Sequence, residues 1–128
     1  MLFRSQGAQG AQGLPSDRRL KRNIKGINEA IETVKKMRGV KYKWDFKMFE
    51  KYGYKLESIP EDDIGFIAQE LYITLPQVVV YRNNNWFVKY EEIVSICIKA
   101  IQEQSIILDE SEKKLEQLEI IAKEKGLI

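Results

Sequence analysis

The residues able to do chemistry in this chain are concentrated in one short run, Ser16-Asp17-Arg18-Arg19-Leu20-Lys21-Arg22-Asn23-Ile24. A serine hydroxyl is a poor nucleophile until a base removes its proton. The chain contains no histidine, which excludes Ser-His and Cys-His arrangements. A neutral lysine amine can take the same role. Free lysine titrates at about 10.4, so roughly one in a few thousand is neutral at pH 7. Burial and adjacent cations lower that value, because each disfavours the charged form. Arg18, Arg19, Arg22 and Lys25 surround Lys21 in the chain and supply the cations. A single self-cleavage also tolerates an imperfect base, because the bond to be cut is delivered covalently at high effective concentration. By residue type and spacing alone, however, Ser-x4-Lys pairs recur by chance. The same run reads as a solvated basic loop in which Ser16 and Asp17 cap a turn.

Composition removes several other chemistries. With no histidine and a single cysteine, Cys97, neither a zinc site nor an intrachain disulfide is expected. No metal or cofactor is implied. No stretch approaches the roughly 18 to 20 apolar residues of a membrane span, and Met1 to Pro15 has no apolar run suited to a signal peptide. The formal net charge is +2, too small to argue for a nucleic-acid partner. Residues 16–55 carry 13 Lys or Arg against 5 Asp or Glu, so a basic nucleic-acid-binding module remains a reading from another class. The rest of the chain is acidic, no recognised binding motif appears, and no such partner is expected.

The elements that would position the run follow from hydrophobic period. Ahead of it, Gly7-Ala8-Gln9, Gly10-Ala11-Gln12 and Gly13-Leu14-Pro15 place glycine at every third residue. Collagen-like triple helices require that spacing, since only glycine fits at the axis. A flexible linker has the same composition. After the run, Ile27, Ala30, Ile31 and Val34 share one helical face, with Gly39 as the stop behind Lys35, Lys36 and Arg38. Val40, Tyr42 and Trp44 alternate with Lys41, Lys43 and Asp45, a half-buried strand. Phe46 to Asp63 reads as a charged loop or irregular hairpin. Ile64 to Leu71 reads as strand into helix. Asn83-Asn84-Asn85 is the turn of a hairpin joining Val78–Tyr81 to Trp86–Tyr90. Val40, Tyr42, Trp44, Ile67, Ala68, Leu71, Val78, Val80 and Phe87 are the expected core.

From Glu91 to about Lys125 there is neither proline nor glycine. Val94, Ile101, Leu108, Leu115 and Ala122 fall seven apart, and Cys97, Gln104, Ser111 and Leu118 fall three residues further on. This is an a/d heptad pattern over five repeats, which argues for a coiled coil rather than a helix packed on its own domain. Gln104 and Ser111 are costly in a dry two-helix seam and easier to place in shared polar layers of three helices.

The run SDRRLKRNI, the later GFIAQEL, Pro76-Gln77-Val78-Val79 and the Trp-x-x-Lys-Tyr at Trp86 together resemble the S74 peptidase family. These are intramolecular chaperone domains of phage endosialidases, tailspikes and tail fibres, found also in the myelin regulatory factor. The likeness runs from Ser16 to about Glu103. It implies a Ser16–Lys21 cleavage dyad, scission at Ser16-Asp17, and a homotrimer joined by a C-terminal three-helix coiled coil. The trimer seam would be Val94, Cys97, Ile101, Gln104, Leu108, Ser111, Leu115, Leu118 and Ala122. Arg18, Asn23, Gln69 and Glu70 would line the site or the subunit interface. Tyr52 and Tyr54, with Lys47, Lys51 and Lys55, would hold the preceding stalk. The implied partner is the chain's own upstream fibre segment. The implied setting is a virion tail-fibre precursor made in host cytoplasm, from which the chaperone is released by cleavage. The family domain normally follows a β-rich stalk, whereas this one follows collagen-like triplets. A trimerisation cap with an inert dyad is the alternative with the same fold.

The expected class is therefore α+β. Residues 1–15 form a collagen-like stalk remnant or linker, 16–90 a small hairpin-and-helix chaperone domain, and 91–128 a long helix for trimerisation.

Overall fold

The computed structural model describes residues 14–55 and 59–128; the collagen-like triplets fall almost wholly outside the described residues. After an exposed segment from Leu14 to Glu29, helix α1 spans Ala30–Lys35. It is shorter than the apolar spacing from Ile27 predicts, and it stops before Gly39. The cause at its start is Glu29, whose backbone is left-handed at φ 54° and ψ 39°, so helical geometry begins only after it. Glu29 gives no side-chain cap. A carboxylate from a distant element does that work: Ala30 N–H and Ile31 N–H donate to Glu103 at 3.3 and 3.1 Å.

Strand β1, Val40–Lys43, pairs antiparallel with β2, Asp62–Gly65, in the register Val40 opposite Gly65 and Lys43 opposite Asp62. Val40 and Tyr42 are half-buried while Lys41 and Lys43 are exposed, as the alternation predicts. The excursion between the strands is not merely a loop. Helix α2 occupies Phe46–Lys51, capped by Asp45, whose side chain accepts from Met48 N–H. An Asp before a short aromatic-bearing run is an N-cap signal, and it was masked by the charged composition. A ladder of rings, Tyr42–Trp44–Phe49–Tyr54, with centroids 5.1, 5.4 and 4.9 Å apart, ties α2 to the hairpin.

Helix α3, Ala68–Thr74, leads through a Pro76–Val78 turn of 3-10 helix into β3, Val79–Arg82, and its antiparallel partner β4, Asn85–Val88. Asn83 and Asn84 take φ of 52° and 62°, the two left-handed positions of a type I′ hairpin turn; Asn85 already belongs to the strand. Helix α4 then runs unbroken from Tyr90 to Glu124, 35 residues, a length of about 52 Å at 1.5 Å per residue. Gly126, at φ 71°, ends it, with Leu127 N–H bonding back to the Ala122 carbonyl, the closure expected of a glycine stop.

The buried core is Ala30, Leu71, Leu75, Val78, Ile93, Ile96 and Ala100. It sits where α1, α3 and the Pro76–Val78 turn meet the first three turns of α4. Of the expected core, Leu71 and Val78 are buried, Val40, Tyr42, Trp44, Ala68, Val80 and Phe87 are half-buried, and Ile67 is exposed. The chain is thus α+β, with two separate two-stranded sheets and a long C-terminal helix.

Candidate functional site

Five residues of extended chain span roughly 17 Å, so Ser16 and Lys21 meet only if the chain turns between them. It does: Arg18–Leu20 form one turn of 3-10 helix, with Leu20 N–H on the Asp17 carbonyl and Lys21 N–H on the Arg18 carbonyl, each at 3.0 Å. Asp17 caps the turn through its side chain, which accepts from Arg19 N–H at 2.8 Å. The result is a contact of 2.7 Å in which Lys21 Nζ donates to Ser16 Oγ. With the amine neutral the direction reverses, and its lone pair is placed to take the hydroxyl proton. Both side chains are exposed. The segment provides cationic neighbours in Arg18, Arg22 and Lys25, but it does not provide burial.

The other residues singled out above lie apart from this pair or beside it without contact. Arg18 is in the turn and exposed. Asn23 adopts φ 55° just after the pair, a conformation asparagine tolerates better than most residues. Glu70 is in a two-pronged ion pair with Arg38, at 2.9 and 2.6 Å. That pairing joins the first turn of α3 to the segment after α1 and holds the Glu70 carboxyl below the usual range. Gln69 faces a cleft of about 980 Å3 between the two hairpins, lined also by Tyr42, Trp44, Tyr52, Trp86 and Tyr90. Tyr54 instead stacks on Phe49.

Along α4 the faces divide. Ile93, Ile96 and Ala100 go into the core, with Cys97 packed at its edge. The remaining apolar heptad positions do not: Val94, Ile101, Leu108, Leu115 and Leu118 are 58–62% exposed. No residue from Gln104 to Ile121 is even half-buried, and Ala122 is half-buried.

Sequence reading missed two participants. Arg19 grips Asp17 rather than serving as a general cation, and Glu103 anchors the start of α1. The Asp-x-Arg spacing was a usable signal for the first; nothing local signals the second.

Among the described residues, then, a small α+β body carries an exposed Ser16–Lys21 contact at one end and, along α4, an exposed apolar stripe. Against known families, residues 16–80 match the Peptidase S74 family, described as the chaperone of endosialidase. That match begins at Ser16 and covers half of the chain, so the chain belongs to this family. Membership points to a chaperone role, to a peptidase chemistry directed at its own chain, and to association with phage tails. No curated protein matches the chain. No helix among the described residues is long and apolar enough to cross a membrane.

Proposed function

We propose that the protein is an intramolecular chaperone that trimerises through residues 91–128, nucleates folding of an upstream tail-fibre segment, and then releases itself by Ser16–Lys21 autoproteolysis. The observation that carries the reading is the 2.7 Å contact between Lys21 Nζ and Ser16 Oγ at the head of the family match. Assembly is supported by the exposed seam: Val94, Ile101, Leu108, Leu115 and Leu118 lie 58–62% exposed along one helix. A trimer would also bring three upstream chains together at residues 1–15, the register problem that a collagen-like segment faces.

Cleavage proceeds by addition and elimination. Lys21, as the neutral amine, takes the Ser16 hydroxyl proton while Oγ adds to a backbone carbonyl. The amide nitrogen then leaves with that proton, and water hydrolyses the ester. Attack by Oγ on its own carbonyl would close a four-membered ring. Scission between Ser16 and Asp17 therefore needs the hydroxyl of one chain to reach the carbonyl of another. Scission between Pro15 and Ser16 needs only a five-membered ring within one chain. The exposure of the dyad in a single chain favours a second reading, a trimerisation cap with an inert dyad.

Intact mass of fresh protein, denaturing and native, beside Ser16→Ala and Lys21→Ala, tests all of this. A fragment in wild type alone, within native trimers, supports the proposal. A fragment beginning at Asp17 places the cut after the serine, and one beginning at Ser16 places it before. Uncut trimers in every sample leave only the cap, and a monomer removes both readings.

A further inference from the structure

An acid stands immediately beside the proposed nucleophile. Asp17 is the carboxylate nearest to Lys21 in the chain, with Glu29 the next one on, and an ammonium is its natural partner. Were Asp17 to pair with Lys21, the amine would be drawn from Ser16 and held protonated, since an adjacent anion favours the charged form.

The structure shows a different pairing. Arg19 Nε donates to Asp17 Oδ1 at 3.1 Å and to Oδ2 at 3.3 Å, and Nη2 donates to Oδ2 at 2.8 Å. The Arg19 backbone N–H adds a fourth bond, to Oδ1 at 2.8 Å. One residue thus occupies both carboxylate oxygens. The planar fork of arginine permits this, and the single ammonium of a lysine does not. The same bonds hold the Asp17 carboxyl below its usual range, so it remains the anion that Arg19 must mask. Every residue from Leu14 to Glu29 is exposed. Along the chain, the charged groups flanking Lys21 are Asp17, Arg18, Arg19, Arg22 and Lys25. Among the described residues, Asp17–Arg19 is the one ion pair of this segment. As an exposed pair it contributes little to stability, which leaves position and charge as its work.

We propose that Arg19 is a positioning residue for self-cleavage: by holding both oxygens of Asp17 it keeps that carboxylate off Lys21 and fixes the turn that delivers Lys21 to Ser16. The inference rests on the Ser16–Lys21 reading above.

The test follows cleavage of the full 128-residue chain from cell-free synthesis, quenched over time between pH 6 and 10, for wild type, Arg19→Gln, Arg19→Lys and Asp17→Asn/Arg19→Gln. Native mass of each variant separates failed assembly from failed chemistry. Arg19→Gln is expected to cut about three- to tenfold more slowly at pH 7 and to regain the wild-type rate at high pH, a midpoint raised by about half to one unit. Arg19→Lys, which keeps the charge without the fork, falls between the two. Asp17→Asn in the Arg19→Gln background brings the midpoint back down. If wild type cuts while Arg19→Gln keeps the same midpoint, whether its rate is unchanged or lowered equally at every pH, the masking role is overturned and the cleavage reading stands. If wild-type trimers never cut at any pH, the cleavage reading falls and this inference falls with it.

Discussion

Replacing Glu103 tests whether the long helix fixes the root of the segment that carries Ser16 and Lys21. Its carboxylate accepts from Ala30 N–H and Ile31 N–H at 3.3 and 3.1 Å across 73 and 72 residues of sequence. Ala30 has 0% exposure, so water cannot simply take the place of the lost oxygen. A hydrogen bond to a charged group contributes about 1.5–3 kcal/mol, and loss of a helix cap costs about 0.5–2 kcal/mol. These ranges describe one event seen two ways and do not add. Glu103→Ala is therefore expected to destabilise by about 2 kcal/mol, and Glu103→Gln by about 1 kcal/mol, since it keeps one acceptor oxygen but loses the charge facing the positive end of α1. Urea unfolding at one fixed chain concentration measures this, because the proposed assembly would make stability depend on concentration. The slope with denaturant should stay constant while the midpoint moves. Amide exchange at Ala30 and Ile31 should accelerate in step. An alanine variant within about 0.3 kcal/mol of wild type, with both amides still protected, would refute the argument, because differences that small are typical of uninvolved surface positions.

Gly65→Ala should cost about 1–2 kcal/mol in the same assay. A Cβ there would lie 2.6 Å from Tyr90 Oη, and moving that ring breaks the bond that Phe66 N–H donates to it at 3.2 Å; an unchanged midpoint would show that the ring yields freely. On the proposed function, Leu108→Asp should convert the proposed trimer to monomers by native mass, and the proposed self-cleavage should be lost with it if a neighbour supplies the burial that Lys21 lacks; efficient cleavage by a monomer would break that coupling. Glu70 titrates below its ordinary range because of the bond from Arg38. Its contribution to stability is therefore present above an unfolded value of about 4.3 and lost as pH falls through the lower folded value. Arg38→Gln should flatten the stability-versus-pH slope between roughly pH 5 and 3, and an unchanged slope would mean the exposed pair is silent.

Much of the fold was legible because it rests on local signals. The alternation of Val40, Tyr42 and Trp44, the Asn83-Asn84 turn and the glycine that closes α4 each depend on neighbouring residues, so short windows carry them. The long helix is announced by its heptads for the same reason. Helix α2 was readable in principle from Asp45, but dense charge concealed it. The start of α1 was not readable, because the residue that sets it lies on another element.

For the candidate site the division is sharper. Sequence by itself determined which nucleophile and base were available, since the absence of histidine and the spacing of Ser16 and Lys21 are facts of composition and order. It also determined that the apolar seam of α4 repeats every seven residues. Tertiary structure decided that Ser16 and Lys21 touch, because a turn capped by Asp17 and clamped by Arg19 replaces a separation of many ångströms with a hydrogen bond. It also decided which face of α4 is spent on the domain's own core and which is left open. Periodicity specifies a face but not what lies against it, and only the packing of α1, α3 and the Pro76–Val78 turn on Ile93, Ile96 and Ala100 makes that choice.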